Sequence, residues 1–187
     1  MAQPLRADAQ RNRRRLLDAA RAAFAEYGVT ASLDDIARVA GVGPGTLYRH
    51  FPNRDRLVRA AIDDGLVGIQ EMGVGLLEES DPARALEVWL DAYIEQGSVF
   101  RGLAETLVKP AAESDGSDAC HMARDAGAAL IARGVRAGTF RPDVEAADVL
   151  DVAAAIAWVG EQPGRQAGQR ARLLGLLIDG IRVKQVS

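Results

Sequence analysis

GVGPGTLYRHFP, residues 41–52, sets three glycines and a proline directly against Thr46, Leu47, Tyr48, Arg49, His50 and Phe51. The first half is turn chemistry. Glycine at 41 suits a backbone with positive φ, and Gly43 can cap a helix without a side chain in the way. Pro44 fits a first helical turn, where its missing N–H has no partner to lose. The second half reads as a short helix: Leu47 and Phe51 stand four apart and share an inward face, leaving Thr46, Tyr48, Arg49 and His50 for the other directions. Just upstream, Ser32-Leu33-Asp34-Asp35 resembles a capping box, with a carboxylate three residues after a hydroxyl. It opens a short helix carrying Ile36, Ala37, Val39 and Ala40, which Gly41 breaks. Two short helices around a glycine turn, within about 20 residues, match the helix-turn-helix pattern, whose second helix enters a DNA major groove.

Outward from this stretch the chain reads as helix almost everywhere, with no alternating strand pattern. From about Ala9 to Tyr27, Leu16, Leu17, Ala20, Phe24 and Tyr27 form one apolar face, and Gly28 suits a left-handed cap. A fourth helix is expected from Arg54 to about Glu79. It carries Gly65, Gly68, Gly73 and Gly75, read either as close packing or as a compliant link. Pro82 restarts the chain, and Leu86, Trp89, Leu90, Tyr93 and Ile94 share a face. A shorter helix over about 101–111, a polar loop over 113–117 and a helix running to Arg136 follow. Gly138 to Asp143 reads as a turn, Val144 to Gly160 as an alanine-rich helix, and Gln166 to Val183 as the last helix. The expectation is an all-α protein of about nine helices. It divides into an N-terminal three-helix domain with the helix-turn-helix (residues 1–58) and a C-terminal helical domain (59–187).

The net charge of −3 hides an asymmetry. Residues 1–60 hold 11 Arg and no Lys against 6 acidic residues, whereas residues 61–187 hold 12 basic against 20 acidic. A basic head on an acidic body suits a protein that meets a polyanion at one end. Arg11, Arg13, Arg14 and Arg15 precede or begin the first helix, either as an arm reaching phosphates or as a solvated basic end.

Residues 16–58 strongly resemble the DNA-binding domain of the TetR family of bacterial transcriptional regulators. The resemblance rests on Phe24, Gly28, Ser32, Ile36, Ala37, Ala40-Gly41-Val42, Gly45-Thr46-Leu47-Tyr48-Arg49-His50-Phe51 and Asn53-Arg54. It implies that Thr46, Tyr48 and His50 touch DNA, mostly its backbone. It also places Arg54 where the family usually has a phosphate-reaching lysine. Arg14, Ser32, Gly43, Pro44, Gly45 and Arg49 complete the expected DNA-binding set. The chain departs from the family at Gly43 and Pro44, where many members carry larger polar residues able to read bases. Few side chains remain at the leading end of the helix, so specificity leans on Thr46, Arg49, the arginines and DNA shape.

The same resemblance implies a C-terminal ligand pocket and dimer interface, and hence a repressor released from a pseudo-palindromic operator by a small-molecule effector. Trp89, Tyr93, Phe100, Met122 and Trp158 are the ligand-site candidates. Leu173, Leu177 and Ile181 recur every four positions with Leu174 and Ile178 beside them, a wider face than one neighbour covers. With Ala153 to Ala157 it suits a homodimer through the last two helices; an internal helix hairpin is the alternative. A helical small-molecule-binding protein whose helix-turn-helix no longer regulates transcription is the rival reading of the whole.

Other chemistries find little support. Gly41-Val42-Gly43-Pro44-Gly45 lacks the preceding strand and the spacing of a dinucleotide loop, and no phosphate-loop, GxSxG or HExxH motif occurs. No enzyme and no cofactor is expected. Cys120 is the only cysteine, so no internal disulfide can form, and with His121 it makes an incomplete metal set. No apolar run is long enough to span a membrane, and a cytoplasmic location is expected.

Overall fold

The computed structural model describes residues 3–99, 118–161 and 168–183. Among them lie eight α-helices: α1 (Gln3–Tyr27), α2 (Leu33–Val39), α3 (Pro44–His50), α4 (Arg54–Leu76), α5 (Pro82–Val99), α6 (Asp118–Arg136), α7 (Ala146–Glu161) and α8 (Gln169–Ile181). The described residues contain no strand, only an isolated antiparallel bridge between Phe140 and Arg182. The all-α expectation holds. The helix and loop expected over 101–117 lie outside the described residues. Two compact units divide inside α4, residues 1–64 and 65–187.

In the N-terminal unit, Leu16, Leu17, Ala20 and Phe24 of α1 are buried, as are Ile36 and Ala37 of α2, Leu47 of α3, Phe51 after it, and Leu57 and Ala61 of α4. Each large apolar side chain so removed from water stabilises the unit by about 1.5–3 kcal/mol before chain entropy opposes it. Val39 does not join this core; it is 67% exposed, because Ile36, Ala37 and Ala40 already supply the inward face of so short a helix. The turn after α2 is a Schellman motif. Gly41 has φ +68°, its N–H bonds the Arg38 carbonyl at 3.1 Å, and Val42 N–H bonds the Ala37 carbonyl at 3.0 Å. A residue with a Cβ would be strained at that φ, which is why glycine stands there.

The body is organised on α5, which packs against α6, α7 and α8. Trp89 is fully buried at its centre. Gly73 of α4 and Gly127 of α6 make room for its ring, since a Cβ at either would lie 2.8 or 2.4 Å from the indole. Of the four α4 glycines, Gly65 and Gly73 are close-packing positions, whereas Gly68 and Gly75 face open space. Phe140 is seated against Gly134 in the same way. Arg133 closes the end of α4, donating to the carbonyls of Leu76 and Glu79. Carbonyls at a helix end have no intrahelical donor, so a guanidinium there satisfies two acceptors at once.

Candidate functional site

The geometry of the helix-turn-helix follows from its caps. Ser32 Oγ accepts from Asp35 N–H at 3.3 Å, while the Asp35 carboxylate is taken by Arg38 Nη2 at 3.0 Å. Only the hydroxyl half of the expected capping box therefore has its bond, because the acidic partner finds a guanidinium one turn on. Gly43 is the N-cap of α3 with an extended backbone, φ −72° and ψ 154°, and Pro44 occupies the first turn. Thr46 and Leu47 N–H groups reach the Gly43 carbonyl at 2.9 and 3.2 Å. A Cβ at Gly43 or Gly45 would meet nothing within 4 Å. Proline and glycine thus leave the leading end of α3 without bulk on its outer side.

Leu47 and Phe51 anchor α3 inward, 1% and 3% exposed, as their spacing predicts. Tyr48 is 48% exposed, and Gly43, Pro44, Gly45 and Arg49 are exposed as well, with Thr46 and His50 half-buried. Arg54 is half-buried and donates to the Ala31 carbonyl, which brings it next to Ser32 across 23 residues of sequence. Asn53 caps α4, its side-chain oxygen accepting from Arg56 N–H at 3.0 Å. The structure therefore gathers Ser32, the α3 side chains and Arg54 within one unit.

The α1 arginines stand differently from the arm the sequence allowed. Residues 11–15 lie well inside a helix that begins at Gln3. Arg11 pairs with Asp8, and Arg13 lies over the Phe51 ring at 5.5 Å. Arg15 leans over the turn, 3.4 Å from where a Cβ on Gly41 would be. Arg14 pairs with Asp18 at 3.6 Å and Asp64 at 3.7 Å, and Arg21 shares Asp64 at 3.6 Å. Sequence spacing gives Asp18 as an i,i+4 partner; Asp64 is too distant along the chain to be foreseen.

In the body, Trp89 Nε1–H bonds the Ile69 carbonyl at 3.0 Å, and its ring stacks on Tyr93 at 4.9 Å and 13°. Tyr93 is 1% exposed. Burial pushes its phenol up to about 12, with the neighbouring Arg124 pulling the other way. Arg124 Nη2 pairs with Asp151 Oδ1 at 3.1 Å. Met122 and Trp158 are 43% and 48% exposed, on outer faces of α6 and α7. Phe100 lies outside the described residues. Sequence reading passed over Gln96, a glutamine on an otherwise apolar helix face that proves buried. Cys120 is half-buried and His121 exposed, and no group of three or more His, Cys, Asp or Glu able to hold a metal occurs among the described residues.

Along α8, Leu174, Ile178 and Ile181 are buried, Leu173 and Leu177 half-buried, and Leu176 is 70% exposed. The inward stripe thus runs through Leu174, Ile178 and Ile181, and Ile181 belongs to it rather than with Leu173 and Leu177. On α7, Ala153, Ala154 and Ala157 are buried while Val152, Ala155 and Trp158 are exposed. No helix of the described residues is long and apolar enough to cross a membrane.

Residues 16–61 match the model of bacterial regulatory proteins of the tetR family, and residues 81–183 match that of the transcriptional regulator SbtR-like C-terminal domain. The fold is similar to the TetR transcriptional regulator SCO0520 from Streptomyces coelicolor: 37% identity, TM-score 0.73, covering 91% of this chain and 98% of that one. A TetR regulatory protein from Mycobacterium vanbaalenii is 35% identical with a TM-score of 0.68, covering 96% of this chain and all of the other. The transcriptional repressor KstR2 of Rhodococcus jostii is 26% identical over 184 residues, 90% of each chain. Other curated relatives match over shorter stretches, where this chain spans about a third of their length.

Proposed function

Because the chain belongs to the TetR family of bacterial transcriptional regulators, we propose that it holds operator DNA through α2, α3 and the start of α4 and answers to a small molecule bound in the body. It is a ligand-responsive, DNA-binding repressor. The observation that carries the DNA surface is the division of α3. Leu47 and Phe51 are buried while Tyr48 and Arg49 stand outside, beside a leading end that Gly43, Pro44 and Gly45 keep free of bulk. Tyr48, Thr46, His50, Ser32 and Arg54 offer hydroxyl, imidazole and guanidinium donors of the kind that bond phosphate oxygens. Arg49 is the exposed α3 guanidinium able to reach a base edge. Arg14 ranks below these, since Asp18 and Asp64 already share its charge.

The exposed apolar residues Val152, Trp158 and Leu176 support a homodimer through α7 and α8. A twofold dimer reads two half-sites, so the operator is pseudo-palindromic with recognition helices about 34–36 Å apart. Tyr93 and the groups around it are the effector site, and the effector favours a spacing that no longer fits the operator.

Selection of bound sequences from random DNA tests this reading. The expected result is one enriched palindrome whose affinity falls roughly 10³-fold or more between 50 and 200 mM salt, the response of six or more neutralised phosphates. Tyr48→Phe weakens binding to all sequences alike, whereas Arg49→Ala also relaxes the preference. No enriched palindrome would favour the helical ligand-binding protein without a regulatory role.

A further inference from the structure

Polar groups inside proteins nearly always have hydrogen-bond partners. Helix α5 carries two donors that do not. The Tyr93 hydroxyl and Gln96 Nε2 are both buried, and neither finds an acceptor among the described residues; the phenol oxygen has only the Arg124 guanidinium beside it, which is itself a donor. They stand three residues apart, so they share one face of the helix.

The position of Gln96 is built into the backbone. A Cβ at Gly65 of α4 would lie 1.9 Å from Nε2 and 2.4 Å from the amide carbon, so the amide rests against α4 where only glycine leaves room. Tyr93 is held from behind by Trp89, whose ring stacks on it and whose own N–H is already bonded to Ile69. Both side chains are thus fixed by packing, and none of the described residues accepts from the Tyr93 O–H or from Gln96 Nε2. The chemistry of the pair is one-sided. A neutral phenol donates an O–H, and Nε2 has N–H donors and no lone pair to offer. What such a pair lacks is an oxygen acceptor. The charged groups facing it balance one another: Arg124 lies beside Tyr93 and is paired with Asp151.

We propose that Tyr93 and Gln96 are the donor pair of the effector site, and that the effector is a small, largely apolar molecule presenting a carbonyl or carboxylate oxygen to them. The inference rests on the ligand-responsive reading and adds the chemical class of the ligand. It also assigns Trp89 the role of a backing residue rather than a ligand contact.

Three matched probes test it on the full-length protein: 2-acetylnaphthalene, 2-naphthoate and 2-isopropylnaphthalene, titrated by fluorescence or calorimetry. The ketone, the carboxylate or both bind at least tenfold tighter than the hydrocarbon, and a protein carrying Tyr93→Phe and Gln96→Met binds all three within twofold. A lead for the carboxylate identifies the Arg124 charge as open to the ligand; a lead for the ketone identifies it as neutralised by Asp151. Equal binding of the three, no binding of any, or a preference that survives the double substitution overturns the proposal.

Stability supplies a second readout. Donors that lack partners in the ligand-free protein cost stability, so Gln96→Met, which leaves the contact between Arg124 and Tyr93 in place, melts at or above the wild-type temperature. A fall in melting temperature would make the pair structural and overturn the assignment. Operator affinity of the same proteins separates the two readings. Loss of DNA recognition by the wild type sinks the repressor reading, whereas intact DNA recognition with no acceptor preference sinks only the effector class.

Discussion

In the N-terminal unit Leu16, Leu17, Phe24, Ile36, Leu47 and Phe51 lie inside, and Ser32, Tyr48 and Arg49 stand outside. In the body the arrangement is reversed in the places that matter: Tyr93 and Gln96 carry polar atoms inside, while Val152, Trp158 and Leu176 are left on the surface. The contrast follows from what each unit has to meet. A DNA duplex is larger than the unit that reads it and is contacted from outside, so an apolar interior can hold a polar face in place. A small molecule must be surrounded to be held, and its polar anchors have to be placed where water is excluded. The same exclusion makes an unpartnered donor costly, so at the proposed effector site the body trades some stability for recognition.

If the body is organised on α5, Trp89 is where it breaks most readily. Trp89→Ala removes the largest buried side chain of the body, its bond to the Ile69 carbonyl and the ring that fills the spaces at Gly73 and Gly127. The expected loss is about 4 kcal/mol, the range for deleting a buried aromatic. Denaturant unfolding followed by circular dichroism measures it, and a loss below about 1 kcal/mol would show that the body does not depend on this centre.

A smaller effect probes the buried phenol. Burial raises the Tyr93 pKa from 10.0 to about 12 in the folded protein. As pH climbs above 10 the unfolded chain gives up this proton and the folded chain does not, so the unfolded state is favoured and stability falls until the folded phenol ionises as well. The loss attributable to Tyr93 begins near pH 10 and reaches on the order of 2–3 kcal/mol by pH 12. Tyr27 also has a raised pKa, from its bond to Glu26, but it stands on the surface. Comparing wild type with Tyr93→Phe over this window isolates the buried group. Parallel curves would mean that the phenol is not desolvated, and the contrast between the two units would weaken.

How far each unit could be read from sequence differs for the same reason. The helix-turn-helix is local: Ser32, Gly41, Gly43 and Pro44 each act on backbone within four residues, so caps, turn and inward pair were all visible in the spacing. What escaped there was non-local. The Arg14–Asp64 pair and the Arg54 bond to Ala31 join residues 50 and 23 apart in the chain, and no periodicity predicts them. In the body, Tyr93 was legible as an aromatic on an apolar face, and so as one of five ligand-site candidates that the sequence could not rank. Gln96 was not legible at all, because its role depends on Gly65 of another helix. Met122 and Trp158 share with Tyr93 the composition of a ligand wall, yet half of each is exposed, and composition carries no sign of which way a side chain turns.

The smallest expected effect lies at Ser32, where the proposed DNA surface gives one side chain two tasks. Its hydroxyl caps α2 by accepting from Asp35 N–H, and it stands next to the carbonyl that Arg54 reaches. Ser32→Ala removes both tasks together and costs about 1 kcal/mol of stability, so on its own it does not separate them. Ser32→Asp does. A carboxylate caps a helix as well as a hydroxyl, so stability by thermal or chemical denaturation stays within about 0.5 kcal/mol of wild type. The same carboxylate repels phosphate, so operator affinity falls several-fold. That fall shrinks as salt screens the added charge. If Ser32→Asp binds DNA as the wild type does, Ser32 is a cap and no more, and the DNA surface contracts to α3 and the start of α4.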